Sequence, residues 1–278
     1  MIFFKGHGAG NDFVIVPDPD GALLLTPERV AQLCHRRFGI GADGVLRVVR
    51  AAKDADGAGF AADAEWFMDY RNSDGSIAEM CGNGVRVFAR YLVSSGLATP
   101  GPAGLPIATR AGVVVALLEG DEIRVHMPTP RVYAASTATV GPLTFPGVAV
   151  DCGNPHLVCT LHDGLGLGSL DLSAQPGFDP ALFTAGVNVE FVVPAATPAE
   201  GTDLHVEMRV YERGSGETLA CGSGALAVGA SALRDAGLTT GVVAVDLPGG
   251  RLTVTHDEAG RWWLAGPAVL VAKGEVLD

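Results

Sequence analysis

The sequence predicts an α+β fold built from two similar halves, each a set of strands wrapped around one central helix. Two observations carry this expectation. Matching blocks of residues occur twice in the same order, and each copy runs into a helical segment followed by strand-like pairs. Composition permits such a core: of 278 residues, 48% are hydrophobic and 18% charged. That balance lies outside the range of disordered chains.

The blocks come first. Gly10-Asn11-Asp12-Phe13-Val14 is matched by Gly153-Asn154-Pro155-His156-Leu157, and Gly41-Ala42-Asp43-Gly44-Val45 more faintly by Gly186-Val187-Asn188-Val189-Glu190. Cys81-Gly82-Asn83-Gly84 is matched by Cys221-Gly222-Ser223-Gly224, and Ser95-Gly96-Leu97 by Ala236-Gly237-Leu238. The offset stays near half the chain throughout. Glycine turns recur in any protein, but four ordered matches at one offset are read as a duplication.

Helices and strands follow in order. After Cys81, apolar residues at Val85, Phe88, Tyr91 and Leu92 keep helical spacing, and Gly96 is placed to stop the helix. After Cys221 the segment through Leu233 is apolar nearly all round, which predicts burial on every side. By contrast, Arg86 and Arg90 stand one turn apart and read as a solvated face. Residues 112–118 and 123–127 form one strand pair around a turn at 119–121, and residues 251–255 and 262–264 form another. The expected domains are residues 1–128, with 268–278 returning to that half, and 129–267.

Charge and composition exclude several functions. The net charge is −12, with no basic run, so neither nucleic acid nor an anionic membrane surface is an expected partner. The best uncharged apolar stretch, 218–233, falls short of the ~20 residues a span requires and carries glycines. The N-terminus lacks the apolar core of a signal peptide, so a soluble cytoplasmic protein is expected. Five cysteines, Cys34, Cys81, Cys152, Cys159 and Cys221, include no C-x-x-C pair. A disulfide framework or zinc site is not expected, and no metal is assigned. Cys34, Cys152 and Cys159 read as buried thiols.

The chemistry centres on Cys81 and Cys221. Each precedes a helix, where free backbone N–H groups favour anions. The thiol pKa is therefore expected to fall, and a ligand carboxylate can dock on the same N–H groups. Related by the duplication, the cysteines would face one another across a cleft between the halves. Two opposed acid–base groups are what a racemase or epimerase requires. The only lysines, Lys5, Lys53 and Lys273, lie in no cofactor-binding context, so no cofactor is expected. Asn11, Asn72, Asn83, Asn154 and Asn188 sit in turns or at strand ends. Singly they read as turn chemistry; together they suit a polar zwitterion. Arg213, beside Glu212, offers a fork for a second carboxylate or forms a surface ion pair. His156 either orients a cysteine or is structural.

These residues resemble the diaminopimelate epimerase family. The blocks are Gly8 to Phe13, Phe38 to Gly44, Asn72 to Ser76, Glu79 to Arg86, Gly153 to His156, Val187 to Glu190 and Tyr211 to Ala225. The resemblance implies that family's fold and interconversion of LL- and meso-2,6-diaminopimelate, on the route to lysine and peptidoglycan. It implies Cys81 and Cys221 as the catalytic acid–base pair. It implies Asn11, Asn72, Asn154, Asn188, Glu212 and Arg213 as substrate-binding residues. Gly82 with Asn83, and Gly222 with Ser223, would hold the reacting carboxylate, while His156 and Glu212 would modulate the cysteines. It further implies a homodimer without cofactor or metal. Gly44 stands where some members carry Gln and is left outside the site. The rivals are a proline or hydroxyproline racemase of the same architecture, a thiol redox protein using Cys81 and Cys221, and a binding module without chemistry.

Overall fold

The structure is a computed structural model that describes residues 1–162 and 164–277. It divides into two compact units, Met1–His126 with the chain from Gly266 onward, and Met127–Ala265.

The first unit contains β1 (Ile2–Gly8), β2 (Asn11–Pro17), α1 (Pro27–Cys34), β3 (Gly44–Arg50), β4 (Trp66–Asn72), α2 (Gly82–Ser94), β5 (Leu105–Thr109), β6 (Gly112–Glu119) and β7 (Glu122–Met127). The second contains β8 (Arg131–Val140), β9 (Leu143–Asp151), β10 (Pro155–Thr160), β11 (Asn188–Pro194), β12 (Leu204–Glu212), β13 (Gly216–Thr218), α3 (Gly222–Asp235), β14 (Gly241–Leu247), β15 (Gly250–His256) and β16 (Trp262–Pro267). Finally β17 (Val269–Glu275) pairs with β1.

Strand pairing shows the duplication directly. In the first unit the order is β17-β1-β2-β3-β4-β5-β6-β7. Its ladders run antiparallel, antiparallel, parallel, antiparallel, parallel, antiparallel, antiparallel. In the second the order is β8-β9-β10-β11-β12-β14-β15-β16, with the same succession of ladder directions. A parallel pair needs a long crossover. Within each unit, one such crossover carries the central helix: α2 joins β4 to β5, and α3 joins β12 to β14.

The sheets curl around these helices. α2 lies against β1, β2, β3, β4, β5, β6 and β17, and α3 against β9, β10, β11, β12, β14 and β15. Almost every residue of α2 from Gly82 to Leu92 is buried, as are most of α3. Each fully buried Phe or Leu along such a helix contributes ~2 kcal/mol of hydrophobic stabilisation. One expectation is overturned here. Arg86 is not on a solvated face but fully buried, because strands enclose α2 on all sides. Arg90 lies nearer the rim and donates to the carbonyls of Gly120 and Asp121.

On the outer face of the first sheet, α1 packs Val30, Leu33 and Cys34 onto Val14, Val16 and Val45. With both faces covered, Phe13–Val16 of β2 is continuously buried. The second unit places Phe145, Leu157, Cys159, Phe183 and Phe191 in a comparable layer.

Local signals set the helix ends. Both helices stop in the same hydrogen-bonded motif: Gly96 N–H reaches Val93 O and Leu97 N–H reaches Leu92 O. Gly237 and Leu238 repeat this onto Arg234 and Leu233. Gly96 and Gly237 both adopt positive φ, which glycine does without steric cost. At the other end, Cys81 and Cys221 are the N-caps, extended at φ −141° and −123°. Among the described residues no helix is long and apolar enough to cross a membrane.

Candidate active site

The topology collects the polar signals at one end of each sheet. Since β2 and β3 are parallel, their first residues share an edge, and antiparallel β4 brings its last residue, Asn72, to the same edge opposite Gly44. The chain then turns and enters α2 at Cys81. The second unit does this with β10, β11, β12 and Cys221.

In the first unit, a tight turn with Ala9 at φ 51° and Gly10 at φ 80° joins β1 to β2 and sets Asn11 at the strand start. The Cys81 thiol donates to Asn11 Oδ1 at 3.5 Å and its sulfur accepts from Gly84 N–H at 3.5 Å. Asn83 Nδ2 also donates to Asn11 Oδ1, at 3.3 Å. Asn11 Nδ2 in turn donates to Asp43 at 2.7 Å, and Asp43 pairs with Arg36. At the other end of this chain, Arg86 Nη2 donates to Asn83 Oδ1. Both amides are therefore oriented between a carboxylate and a guanidinium. Asn72 lies at the same sheet end, but its side chain bonds to Ser76 Oγ, 3.0 Å away, within its own turn.

In the second unit, the Cys221 sulfur accepts from Gly224 N–H at 3.4 Å and lies 3.6 Å from Ser223 Oγ. Asn154 Nδ2 donates to Ser223 Oγ at 3.3 Å, while Asn154 Oδ1 lies 3.0 Å from His156 Nε2. The other ring nitrogen of His156 lies 2.6 Å from Glu190 Oε1, both side chains being fully buried. Asn188 donates to the carbonyl of Pro155 and accepts from the backbone N–H of Arg213. Glu212 accepts from Thr218 Oγ1. The Arg213 guanidinium is exposed and donates to the carbonyl of Ala185. Gly82 and Gly222 open the two helices beside their cysteines.

Electrostatics corrects the expected fall in thiol pKa at Cys221. Burial, then the Glu212 and Glu190 carboxylates, push this thiol well above its ordinary range. The helix N–H of Gly224 acts in the expected direction but is outweighed. Glu212 is itself raised by burial. Cys34, Cys152 and Cys159 are buried thiols: desolvation raises Cys34 to about 11 and Cys159 to about 12, and raises Cys152 as well.

Two residues of these clusters were absent from the sequence-based site. Glu190 sits inside a strand pattern without a turn signal. Arg86 was assigned to the surface. A signal for Arg86 existed in the duplication, since its partner position is Leu226 of the all-round apolar helix.

Two curled sheets, each enclosing a cysteine-capped helix, place the chain in a known class of α+β folds. A solved PhzF-family phenazine biosynthesis protein of Bacillus anthracis matches it with a TM-score of 0.72 at 19% identity, covering 100% of this chain and 99% of that one. A probable proline racemase from Agrobacterium radiobacter matches with a TM-score of 0.64 at 15% identity, covering 99% and 92%. At that distance the likeness is one of fold. The family model for diaminopimelate epimerase matches residues 3–133 and 148–276, and the chain belongs to this family of amino-acid isomerases. The diaminopimelate epimerase of Mycolicibacterium smegmatis is 48% identical over 99% of this chain and 97% of its own length. That of Streptomyces coelicolor is 49% identical over 99% and 95%.

Proposed function

We propose that this chain interconverts LL- and meso-2,6-diaminopimelate by passing a proton on and off one α-carbon, with Cys81 and Cys221 as the acid–base pair. The observation that supports this most directly is the repeated helix start. In each unit a cysteine caps a buried helix whose first N–H groups are available to a carboxylate.

The chemistry follows from those groups. An amino-acid α-proton is a very weak acid, so charge developing on the carboxylate must be stabilised. The N–H groups of Gly82 and Asn83, and of Gly222 and Ser223, supply fixed donors for it. In one direction the Cys81 thiolate takes the α-proton and the Cys221 thiol delivers another to the opposite face; the reverse reaction exchanges the roles. Asn11, Asn72, Asn154 and Asn188 supply amides for the ammonium and carboxylate groups. Glu212 and Arg213 supply opposite charges for the distal amino-acid end. His156 and Glu212 modulate Cys221. The reading includes a cytoplasmic homodimer, which light scattering on the purified protein tests.

The central experiment follows LL-2,6-diaminopimelate with reduced enzyme in D2O by NMR. Deuterium should enter one α-position as the meso isomer appears. Cys81→Ala and Cys221→Ala should each lower turnover by about 1000-fold, within the range for loss of a general acid or base. No exchange and no inversion by a folded, reduced sample overturns the reading.

A further inference from the structure

The two half-sites share one ladder pattern but carry opposite buried charge. Register identifies their corresponding positions. In β2 and β3, Phe13 stands opposite Gly44 and Ile15 opposite Leu46. In β10 and β11, His156 stands opposite Asn188 and Val158 opposite Glu190. Phe13 and Leu46 therefore hold the places of His156 and Glu190. The helix starts agree. A Cβ on Gly84 would lie 3.3 Å from Leu46 Cδ2 and 3.6 Å from Phe13 Cζ, whereas one on Gly224 would lie 2.8 Å from Glu190 Oε1. Arg86 of α2 likewise holds the place of Leu226 of α3, and Asn72 that of Glu212.

The result is an exchange of charge. Behind Cys81 are the hydrocarbon of Phe13 and Leu46 and one guanidinium, Arg86. Behind Cys221 are the carboxyl groups of Glu190 and Glu212, the His156 imidazole and the hydrocarbon of Leu226. Neither Arg86 nor Glu190 is fully satisfied by its neighbours. Arg86 Nη1 and Glu190 Oε2 are buried and have no hydrogen-bond partner among the described residues. Ionised groups that are buried and incompletely paired act strongly on their surroundings, since low local polarisability screens them little.

We propose that Arg86 and Glu190 are positioning residues that make the two thiols unequal, so that Cys81 is the one that ionises first and Cys221 the one that keeps its proton. This rests on reading the two cysteines as the acid–base pair. Arg86 reaches Cys81 from its own helix and is itself faced by Glu122 of β7, and Asn11 of β2, which accepts from the Cys81 thiol, carries the Asp43–Arg36 pair. The groups reaching Cys221 are Glu212 from β12, Glu190 from β11 and His156 from β10. The upward push on Cys221 agrees with this assignment. Burial holds Arg86 down to about 10, and a Cys81 thiolate and, after it, the Glu122 carboxylate act on it in the opposite direction.

The assignment gives the free enzyme a direction. A substrate whose α-hydrogen faces Cys81 meets a ready base. Its C–H bond breaks, the proton passes to the Cys81 sulfur, and the Cys221 S–H delivers a proton to the opposite face. The enzyme is left with a Cys81 thiol and a Cys221 thiolate, and proton exchange with solvent restores the starting state.

The test is the pH dependence of iodoacetamide alkylation of the reduced full-length protein, read separately for each cysteine by peptide mass spectrometry. The midpoint is read rather than the rate, because burial slows both. Cys81 should titrate below Cys221 by about 1 pH unit or more, the usual effect of a nearby charge. Arg86→Leu, which copies Leu226, should raise the Cys81 midpoint by about 1 unit and leave Cys221 in place; Arg86→Lys should largely keep the wild-type value. Glu190→Gln should lower the Cys221 midpoint alone. Equal or reversed midpoints in the wild-type protein overturn the proposal, as does an unmoved Cys81 in folded Arg86→Leu. If Arg86→Leu does not fold, the wild-type order and Glu190→Gln decide. Absence of turnover with the expected midpoints would remove only the functional reading, while turnover with equal midpoints would remove only this one.

Discussion

Asn83 donates its side-chain N–H to the side-chain oxygen of Asn11 across 3.3 Å, and its own oxygen accepts from Arg86. Asn83 is 1% exposed, so no solvent replaces it when it is lost. Asn83→Ala should leave the buried Arg86 Nη2 without its amide partner and release Asn11 from one of its three side-chain partners, Asp43, Cys81 and Asn83. An unsatisfied buried polar group costs about 1–3 kcal/mol, more when charged. Urea unfolding should show a loss of about 2–3 kcal/mol in that variant, through a lower midpoint at unchanged slope. A loss below about 0.5 kcal/mol would show that Arg86 does not depend on this amide.

Glu212 acts on Cys221 as a nearby carboxyl group inside a buried cluster. After burial, its charge is the largest influence raising the Cys221 thiol. Glu212→Gln keeps the shape and removes the negative charge. Removing an anion favours thiolate formation, so the Cys221 pKa should fall and its alkylation at pH 8 should accelerate. Turnover should drop by about 10-fold or more, since the distal end of the substrate loses a partner and the acid is mistuned. Slower alkylation of Cys221 in this variant would reverse the sign of the argument.

What could be read along the chain was what local chemistry determines. The Cys-Gly-x-Gly helix starts, the Gly96 and Gly237 helix stops and the strand pair around residues 119–121 all depend on neighbours in sequence. The repeated blocks then supplied the two-part α+β fold. Arg86 and the Cys221 thiol were misread for one common reason. Helical periodicity assigns a polar position to solvent, yet α2 is enclosed by strands from distant parts of the chain, including β17. The helix N-terminus does lower a thiol pKa, but burial and carboxylates brought in by β11 and β12 outweigh it. Glu190 was visible as a single charge in an otherwise apolar strand. Its meaning depends on the parallel pairing of β11 with β10, which brings it to His156.

Acid should weaken the first unit through carboxylates held by arginine and lysine. Burial would raise Asp12, but hydrogen bonds from Arg36 and Lys5 outweigh it and lower its pKa from 3.8 to about 2. For fully buried Asp69, bonds from Arg71 and Arg110 likewise outweigh desolvation and lower the pKa. A carboxylate depressed in the folded state stabilises it above the unfolded pKa. That contribution disappears as pH falls through the folded value. Wild-type stability should therefore decline between about pH 4 and pH 2, by about 1–2 kcal/mol from Asp12 after allowance for its partial exposure. Chemical denaturation across that range should give a shallower decline for Asp12→Asn. An equal decline in both proteins would place the acid sensitivity elsewhere.

Gly84 and Gly224 occupy the same place after their cysteines, and the charge difference between the half-sites predicts different tolerance to alanine. At Gly84 the new methyl would meet Leu46 Cδ2 at 3.3 Å and Cys81 Cβ at 3.4 Å, contacts that a small side-chain shift relieves. At Gly224 it would stand 2.8 Å from Glu190 Oε1 and 3.3 Å from the Cys221 sulfur. Glu190 cannot retreat without breaking its 2.6 Å contact with His156 inside a fully buried pair. Overpacking of this kind costs about 1–3 kcal/mol, and separation of a buried pair adds to it. Against that, alanine gains helix propensity of up to ~1 kcal/mol over glycine at both positions. Gly84→Ala should thus be near neutral, whereas Gly224→Ala should lose at least about 2 kcal/mol. Thermal unfolding of the two variants side by side checks this. Equal stability would mean that Glu190 has room to move, and that the His156–Glu190 contact is not held rigidly against the start of α3.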